Sequence, residues 1–168
     1  FLLVLDDLGN ETAGDQLVGI SEGHLRAAFV RAGQLHGLYW GRTSEFDWLN
    51  YQLDMRTTLF RRDQIFRPGI EPTLKNFGQH FTGNREEVVT KIGDQYADLF
   101  LQAMSGEQTI IHGDYRVDNS FLVERDGSPD IISVDWQNTT GGNGTHDIAY
   151  FSAQSCDAEI RGDTELNL

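Results

Sequence analysis

The chain has 168 residues, with 26 Asp and Glu against 13 Lys and Arg, for a net charge of −13. That length makes one domain with a real core, and the acidic balance argues against nucleic acid, whose phosphates demand a basic surface. A cationic partner would suit the charge, and solubility explains it equally well. No apolar run of about 18 residues occurs, so no membrane span is expected. No signal-peptide pattern is present, and the single cysteine, Cys156, suits a reducing compartment. A cytoplasmic location is the expectation.

Residues 1–5, Phe-Leu-Leu-Val-Leu, read as a buried strand already under way, with no initiating Met. Asp6 to Gly19 reads as loop, rich in Gly, Asp and Asn. Ser21 is a plausible N-cap with Glu22 in the first turn, and a helix is predicted from there to about Trp40. Its core face is Leu25, Ala28, Phe29, Ala32, Leu35 and Tyr39, with His36 as a packing residue. Ser44 to Gln64 is mixed, an irregular helix with Trp48, Leu49 and Leu53 buried, and Phe66 to Gly83, with Pro68 and Pro72, reads as loop. A second long helix is predicted from about Arg85 to Met104, with Val88, Ile92, Leu99 and Ala103 inward. Thr109 to Ile111 is a strand; Phe121–Val123 and Ile131–Val134 form a hairpin around Asp126-Gly127-Ser128-Pro129. Trp136 to Thr145 reads as loop, and a helix starts near His146.

The chemistry concentrates in Ile111-His112-Gly113-Asp114-Tyr115-Arg116-Val117-Asp118-Asn119 and Ile132-Ser133-Val134-Asp135-Trp136-Gln137. One strand delivers Asp114, an amide follows at Asn119, and a second strand delivers Asp135. Transfer of a nucleotide γ-phosphoryl group requires such a set: one carboxylate to orient a hydroxyl, plus an amide and a carboxylate for magnesium. Magnesium keeps waters and substrate phosphates in its shell, so two protein ligands suffice. Asp114 is therefore the candidate base or hydroxyl-orienting group. Asn119 and Asp135 are the candidate metal ligands, with Asp118 as the rival to Asn119. His112 is read as structural, a neutral imidazole holding the loop through backbone carbonyls. Arg116 is read as solvated or salt-bridged, with contact to a phosphate or an anionic acceptor as the alternative. Trp136 and Tyr150 are read as core.

These motifs resemble the aminoglycoside phosphotransferase and choline kinase-like enzymes, distant relatives of protein kinases. The pattern there is His-Gly-Asp-x-x-x-x-Asn, an apolar strand ending in Asp-Trp or Asp-Phe, a Gly-rich loop, and Asp-Leu-Ala-Tyr. Here these stand as His112-Gly113-Asp114 with Asn119, Asp135-Trp136-Gln137, Gly141-Gly142-Asn143-Gly144 and Asp147-Ile148-Ala149-Tyr150. Upstream, residues 1–7 look like the interlobe hinge strand, Gly14-Asp15-Gln16 like the loop after it, and Leu35-His36-Gly37-Leu38-Tyr39-Trp40 like the end of the first large-lobe helix. The likeness thins between about Trp48 and Arg85.

The resemblance implies an α/β fold of the kinase-like large-lobe type, mostly helical, with a small antiparallel hairpin carrying the site. It also implies Mg2+ with ATP or GTP as donor and a hydroxylated small molecule as acceptor. Backbone groups around Val4, Leu5, Asp6 and Asp7 would read the purine, and Asp147 would support the loop by accepting its backbone donors. Lys75 and Lys91 are the only lysines and neither lies on a strand-like segment, while such a kinase needs a strand-borne lysine on the donor phosphates. No glycine-rich phosphate loop precedes a helix. A nucleotide-clamping small lobe and further C-terminal helices are thus expected outside these residues, and the 168-residue piece alone is expected to be inactive. Two other readings stand beside this one: a metal-dependent phosphohydrolase using His112 and Asp114, and a non-catalytic kinase-like binding module.

Overall fold

The computed structural model describes residues 6–49, 55–81 and 83–157. The strand expected over residues 1–5, with Val4 and Leu5, and the expected burial of Leu53 lie outside the described residues. The architecture is mixed: helices packed around two small antiparallel sheets.

The first described element is a two-residue strand, β1 (Thr12–Ala13), inside the segment expected to be all loop. The first helix, α1 (Glu22–Tyr39), starts where Ser21 caps it, the Ser21 hydroxyl accepting the His24 backbone N–H at 3.3 Å. Leu25, Ala28 and Ala32 on its inner face are 4 % exposed or less.

A 3-10 turn (Thr43–Glu45) follows, then helix α2 (Met55–Arg61), a π-helical turn (Arg62–Phe66) and helix α3 (Arg67–Phe77) as one unbroken helical run. The prolines had suggested a loop from Phe66 to Gly83; instead Pro68 sits in the first turn of α3 and Pro72 inside it. A proline lacks an N–H and its ring crowds the carbonyl four residues back. The π turn directly ahead of Pro68 opens the hydrogen-bond ladder there, with Arg67 N–H donating to Arg62 C=O. Trp48 is 64 % exposed rather than buried, its ring only edging Phe46, while Leu49 is buried at 4 %.

Helix α4 (Arg85–Ala103) packs against α2 and α3, but not by the stripe expected. Val88, Ile92 and Leu99 are 41, 37 and 41 % exposed and Ala103 is also exposed; the buried positions are Gly93 and Ala97. The partner helix comes too close for a large residue, since a Cβ on Gly93 would lie 2.4 Å from Ile70 Cδ1. Aromatic rings close the flank, Phe66 against Tyr96 at 5.0 Å and Tyr96 against Phe100 at 6.0 Å. The only two lysines, Lys75 and Lys91, fall on α3 and α4.

Strand β2 (Thr109–Ile111) then enters the core, followed by a 3-10 turn (Val117–Asn119) and the hairpin β3 (Ser120–Arg125) and β4 (Ser128–Ser133). Asp126 and Gly127 both have positive φ, 53° and 74°, as the tight mirror-image turn of a two-residue hairpin demands. The segment after β4, expected as loop, holds a 3-10 turn (Trp136–Asn138) and a strand, β5 (Thr140–Gly142). The last described helix, α5, spans Thr145–Ser155.

The described strands form two sheets. One has the order β1-β3-β4, with Thr12 opposite Leu122 and Ser120 opposite Ser133. The other pairs β2 with β5, Ile110 opposite Gly141. The core lies under the segment joining them: Leu25, Ala28 and Ala32 of α1, Tyr115 and Val117, Ile131 of β4 and Phe151 of α5. Phe151 is fully buried and packs edge-on to Phe29 and 4.8 Å from Tyr115. No described helix is long and apolar enough to cross a membrane.

Candidate active site

Between β2 and β3 the chain alternates. Tyr115, Val117 and Asn119 are buried, whereas Asp114, Arg116 and Asp118 are partly or fully exposed. The inward residues fix the loop. The Tyr115 hydroxyl donates to Ala28 C=O at 2.8 Å, and burial raises its pKa well above the usual phenol value. Val117 N–H donates to Ser155 Oγ at 2.9 Å. The apolar alternation thus presents the polar side chains on one open face. Gly113 makes the bend possible: its φ is +81°, and a Cβ there would lie 2.4 Å from Asn138 C=O.

The start of the loop is held from below by Asp147, the third residue of α5, which is 1 % exposed. Its Oδ2 accepts His112 N–H at 2.8 Å and its Oδ1 accepts Gly113 N–H at 3.0 Å. His36, buried on α1, donates from Nε2 to the same Asp147 Oδ2 at 3.0 Å. A buried carboxylate is tolerable only when its lone pairs are taken up this way. His36 is therefore part of the loop's support rather than a packing residue.

Asp114 and Asn119 are joined. Asn119 Nδ2 donates to Asp114 C=O at 2.8 Å and to Asp114 Oδ2 at 3.1 Å. Both amide hydrogens are thereby used, and no donor among the described residues occupies Asn119 Oδ1, which remains an oxygen acceptor. Arg116 Nε lies 3.5 Å from Asp114 Oδ1. Tyr150, half-buried on α5, faces the same carboxylate; burial, then the charge and hydrogen bonding of Asp114, raise its pKa. Its ring stacks on His146 at 5.9 Å, and burial lowers the His146 pKa.

Asp135 follows β4 in the left-handed region, at φ 61° and ψ 58°. For a residue with a Cβ this costs on the order of 1 kcal/mol. Among the described residues its Oδ2 accepts from Gln137 Nε2, at 3.2 Å. Val134, one residue earlier, ties this turn to the loop with both its backbone groups. Its N–H donates to Asn119 C=O at 2.9 Å, and its C=O accepts His112 Nε2 at 2.9 Å. His112 Nδ1 in turn accepts Asp114 N–H at 3.4 Å. A ring that donates at one nitrogen and accepts at the other has no nitrogen lone pair spare for a metal. Trp136 covers that ring at 4.6 Å and is itself 43 % exposed, not core.

Asp135 also lines an open cleft of about 820 Å³ between the hairpin and the chain's first described residues. Asp6, Asp7 and Glu11 form one side, and Ile132, Val134 and Trp136 the other. The structure therefore groups Asp114 with Asn119, ties their loop to the Asp135 turn, and puts Asp6 and Asp7 across a cleft from Asp135. Gln16, which the sequence reading gave no role, joins the loop as well: its N–H donates to Asp118 Oδ1 at 2.6 Å. His36 and Gln16 both fall in stretches that carried the family likeness, and that placement of a polar residue was the available signal. Among the described residues no three His, Cys, Asp or Glu side chains converge into a metal cage.

The loop bends at Gly113, carries Asp114 and Asn119 five residues apart, and is hydrogen-bonded to the strand end that bears Asp135. The sequence profile of the ecdysteroid kinase-like family matches residues 2–168, and the chain belongs to that family. It is a protein-kinase-like phosphotransferase group whose members are small-molecule kinases, and it is not specifically the aminoglycoside phosphotransferase or choline kinase-like group that the motifs resemble. No curated protein and no solved structure matches the chain.

Proposed function

We propose that this protein transfers the γ-phosphoryl group of ATP, or of GTP, to a hydroxyl on a small molecule, with magnesium bound by Asn119 and Asp135. The observation that carries this reading is the double backbone tie at Val134. It holds the Asp135 turn against the loop that bears Asp114 and Asn119, 2.9 Å on each side. Asp114 orients the acceptor hydroxyl and receives its proton as the oxygen attacks phosphorus. Its carboxylate is kept in one rotamer by Asn119 Nδ2.

The donor set suits the ion: Asn119 Oδ1 and the Asp135 carboxylate are hard oxygens, and donor phosphates and water complete the shell. When bound, magnesium would offset charge on the donor phosphates. The cleft beside Asp135 takes the nucleotide, with Asp6 and Asp7 at its hinge side. Lys75 and Lys91, the two lysines of the chain, sit on helices α3 and α4 rather than on a strand. The hydrolase alternative loses its histidine, because both His112 nitrogens are engaged.

The test is ATP- and magnesium-dependent phosphorylation of hydroxylated acceptors by the full-length protein. Asp114→Asn should cut turnover about 100-fold or more, the size of a positioned acid–base group, while nucleotide binding stays within a few-fold. A variant that keeps near-normal turnover would move the role elsewhere.

A further inference from the structure

Helix α5 runs alongside the loop that bears Asp114 and meets it residue by residue. Near the helix start Asp147 accepts the N–H groups of His112 and Gly113, and near its end Ser155 Oγ accepts Val117 N–H at 2.9 Å. His146, Tyr150 and Gln154 recur every four residues, so they share one face of the helix. All three are half-buried, Tyr150 included, although it was expected in the core. Each turns its polar end toward the loop. His146 hydrogen-bonds Gly113 C=O, and Tyr150 donates to the Asp114 carboxylate. Gln154 Oε1 accepts Gln16 Nε2 at 2.9 Å, and Gln16 N–H holds Asp118 Oδ1 at 2.6 Å.

The Tyr150 ring is braced in this position. It stacks on His146 at 5.9 Å and 21°, and the His146 ring is itself tied to Gly113. Burial, then the Asp114 charge and the hydrogen bond to it, raise the Tyr150 pKa, so the phenol keeps its proton and stays a donor. Asp114 is thus held from two elements: Asn119 Nδ2 reaches Oδ2 at 3.1 Å from the far end of the loop, and Tyr150 reaches the carboxylate from α5. A carboxylate offers about four lone-pair sites, so these two donors leave room for an incoming hydroxyl. The cleft beside Asp135 is bounded by the hairpin and by Asp6, Asp7 and Glu11, and no described residue of α5 lines it. Attack on the γ-phosphorus comes opposite the leaving oxygen. The acceptor therefore reaches Asp114 from outside the donor cleft, and Tyr150 stands outside it as well.

We propose that Tyr150 is a positioning residue for phosphoryl transfer, aiming the Asp114 carboxylate at the acceptor hydroxyl through the hydrogen bond it donates. This rests on the phosphotransferase reading above. In the step, the acceptor oxygen passes its proton to Asp114 and forms the new O–P bond. The bond from the γ-phosphorus to the bridging oxygen breaks, and its electron pair leaves on the nucleoside diphosphate. Tyr150 keeps its proton throughout. Its share is geometric, since a reacting group displaced by about 1 Å loses roughly 100-fold in rate.

Kinetics on the full-length protein with magnesium-ATP test this. Turnover is read on acceptor-free hydrolysis, in which water stands in for the hydroxyl, and on the hydroxylated acceptor that wild type phosphorylates fastest in a panel. Tyr150→Phe keeps the ring that stacks on His146 and loses the donor. It should lower kcat about tenfold or more, the size of a hydrogen bond to a charged group. Acceptor KM, magnesium-ATP affinity by calorimetry and the melting midpoint should stay close to wild type. Placed on Asp114→Asn, the same change should cost no more than about twofold further, because the charge it aims is already gone. A Tyr150→Phe kcat within about twofold of wild type overturns the proposal. An equal loss in both backgrounds does so too, since Tyr150 would then act without Asp114. A raised acceptor KM at unchanged kcat also overturns it, since Tyr150 would then be a wall of the acceptor site. If wild type neither hydrolyses ATP nor phosphorylates an acceptor, the phosphotransferase reading itself fails and the role of Tyr150 falls with it.

Discussion

Replacing Asp147 tests how the loop is held. In Asp147→Ala, three donors lose their acceptor together: His112 N–H at 2.8 Å, Gly113 N–H at 3.0 Å and His36 Nε2 at 3.0 Å. With the site 1 % exposed, water does not reach them. Hydrogen bonds to a charged group contribute about 1.5–3 kcal/mol each, but losing a buried charge also removes its desolvation cost. The expected net loss is about 3–5 kcal/mol, the usual result of stripping one partner from a buried pair. Asp147→Asn keeps one carbonyl oxygen, so it should lose about 2–3 kcal/mol. Urea unfolding of the full-length proteins, followed by tryptophan fluorescence, measures both. Turnover far below the midpoint should also fall, because Gly113 at φ +81° no longer has an anchor on its N–H. A double-mutant cycle with His36→Leu should give a coupling of about 1–2 kcal/mol. An Asp147→Ala midpoint equivalent to less than about 1 kcal/mol would refute the reasoning, since it would mean that the three donors find other acceptors.

Asp135→Ala should weaken magnesium-nucleotide binding and cut turnover, with partial recovery at raised magnesium, whereas Asp114→Asn should show no such rescue; calorimetry across a magnesium titration separates them. Gly113→Ala should destabilise by about 2 kcal/mol or more, because its Cβ would meet Asn138 C=O at 2.4 Å, and chemical denaturation reads this directly. The Asp130 carboxyl is held at about 2, first by the Arg31 hydrogen bonds and then by Ile131 N–H and Arg125. A depressed carboxyl stabilises the fold above its unfolded value near 3.8 and loses that contribution as pH falls through about 2. Thermal melts between those two pH values should therefore drop by the equivalent of about 1 kcal/mol, and Asp130→Asn should flatten that slope.

The sequence was legible where a local rule and burial agree. Ser21 announces α1, Asp126-Gly127 announces the β3–β4 turn, and the apolar triplet Thr109–Ile111 announces β2. It misled where tertiary contact overrides the local rule. Pro68 and Pro72 signalled a break, but a first-turn position and a π turn accommodate them. Val88, Ile92 and Leu99 form a helical stripe, yet α4 turns Gly93 and Ala97 inward because a close helix–helix approach selects small residues. Strand β5, Thr-Gly-Gly, has almost no strand propensity and exists because β2 supplies its hydrogen bonds. At the site, Asp114, Asn119 and Asp135 stood out as residue types with spacing. The partners of Val134, His36 and Gln16 could not be read, because His36 and Gln16 reach residues about a hundred positions away and Val134 takes part through its backbone groups alone.

The chain changes sheet twice in this short span, once from β2 to β3 and once from β4 to β5. Each crossing carries one of the two prominent carboxylates, Asp114 on the first and Asp135 on the second. The two crossings act as the parallel arms of a linkage whose end plates are the sheets. A small tilt of one plate shears one carboxylate past the other while leaving each strand ladder intact. Such a tilt is resisted by the Val134 cross-ties between the arms and by the α1–α5 brace at His36 and Asp147. Alignment at the site is accordingly a mechanical property of the frame, and amide exchange at Val134 and Gly113 is where slack in that frame should first be felt.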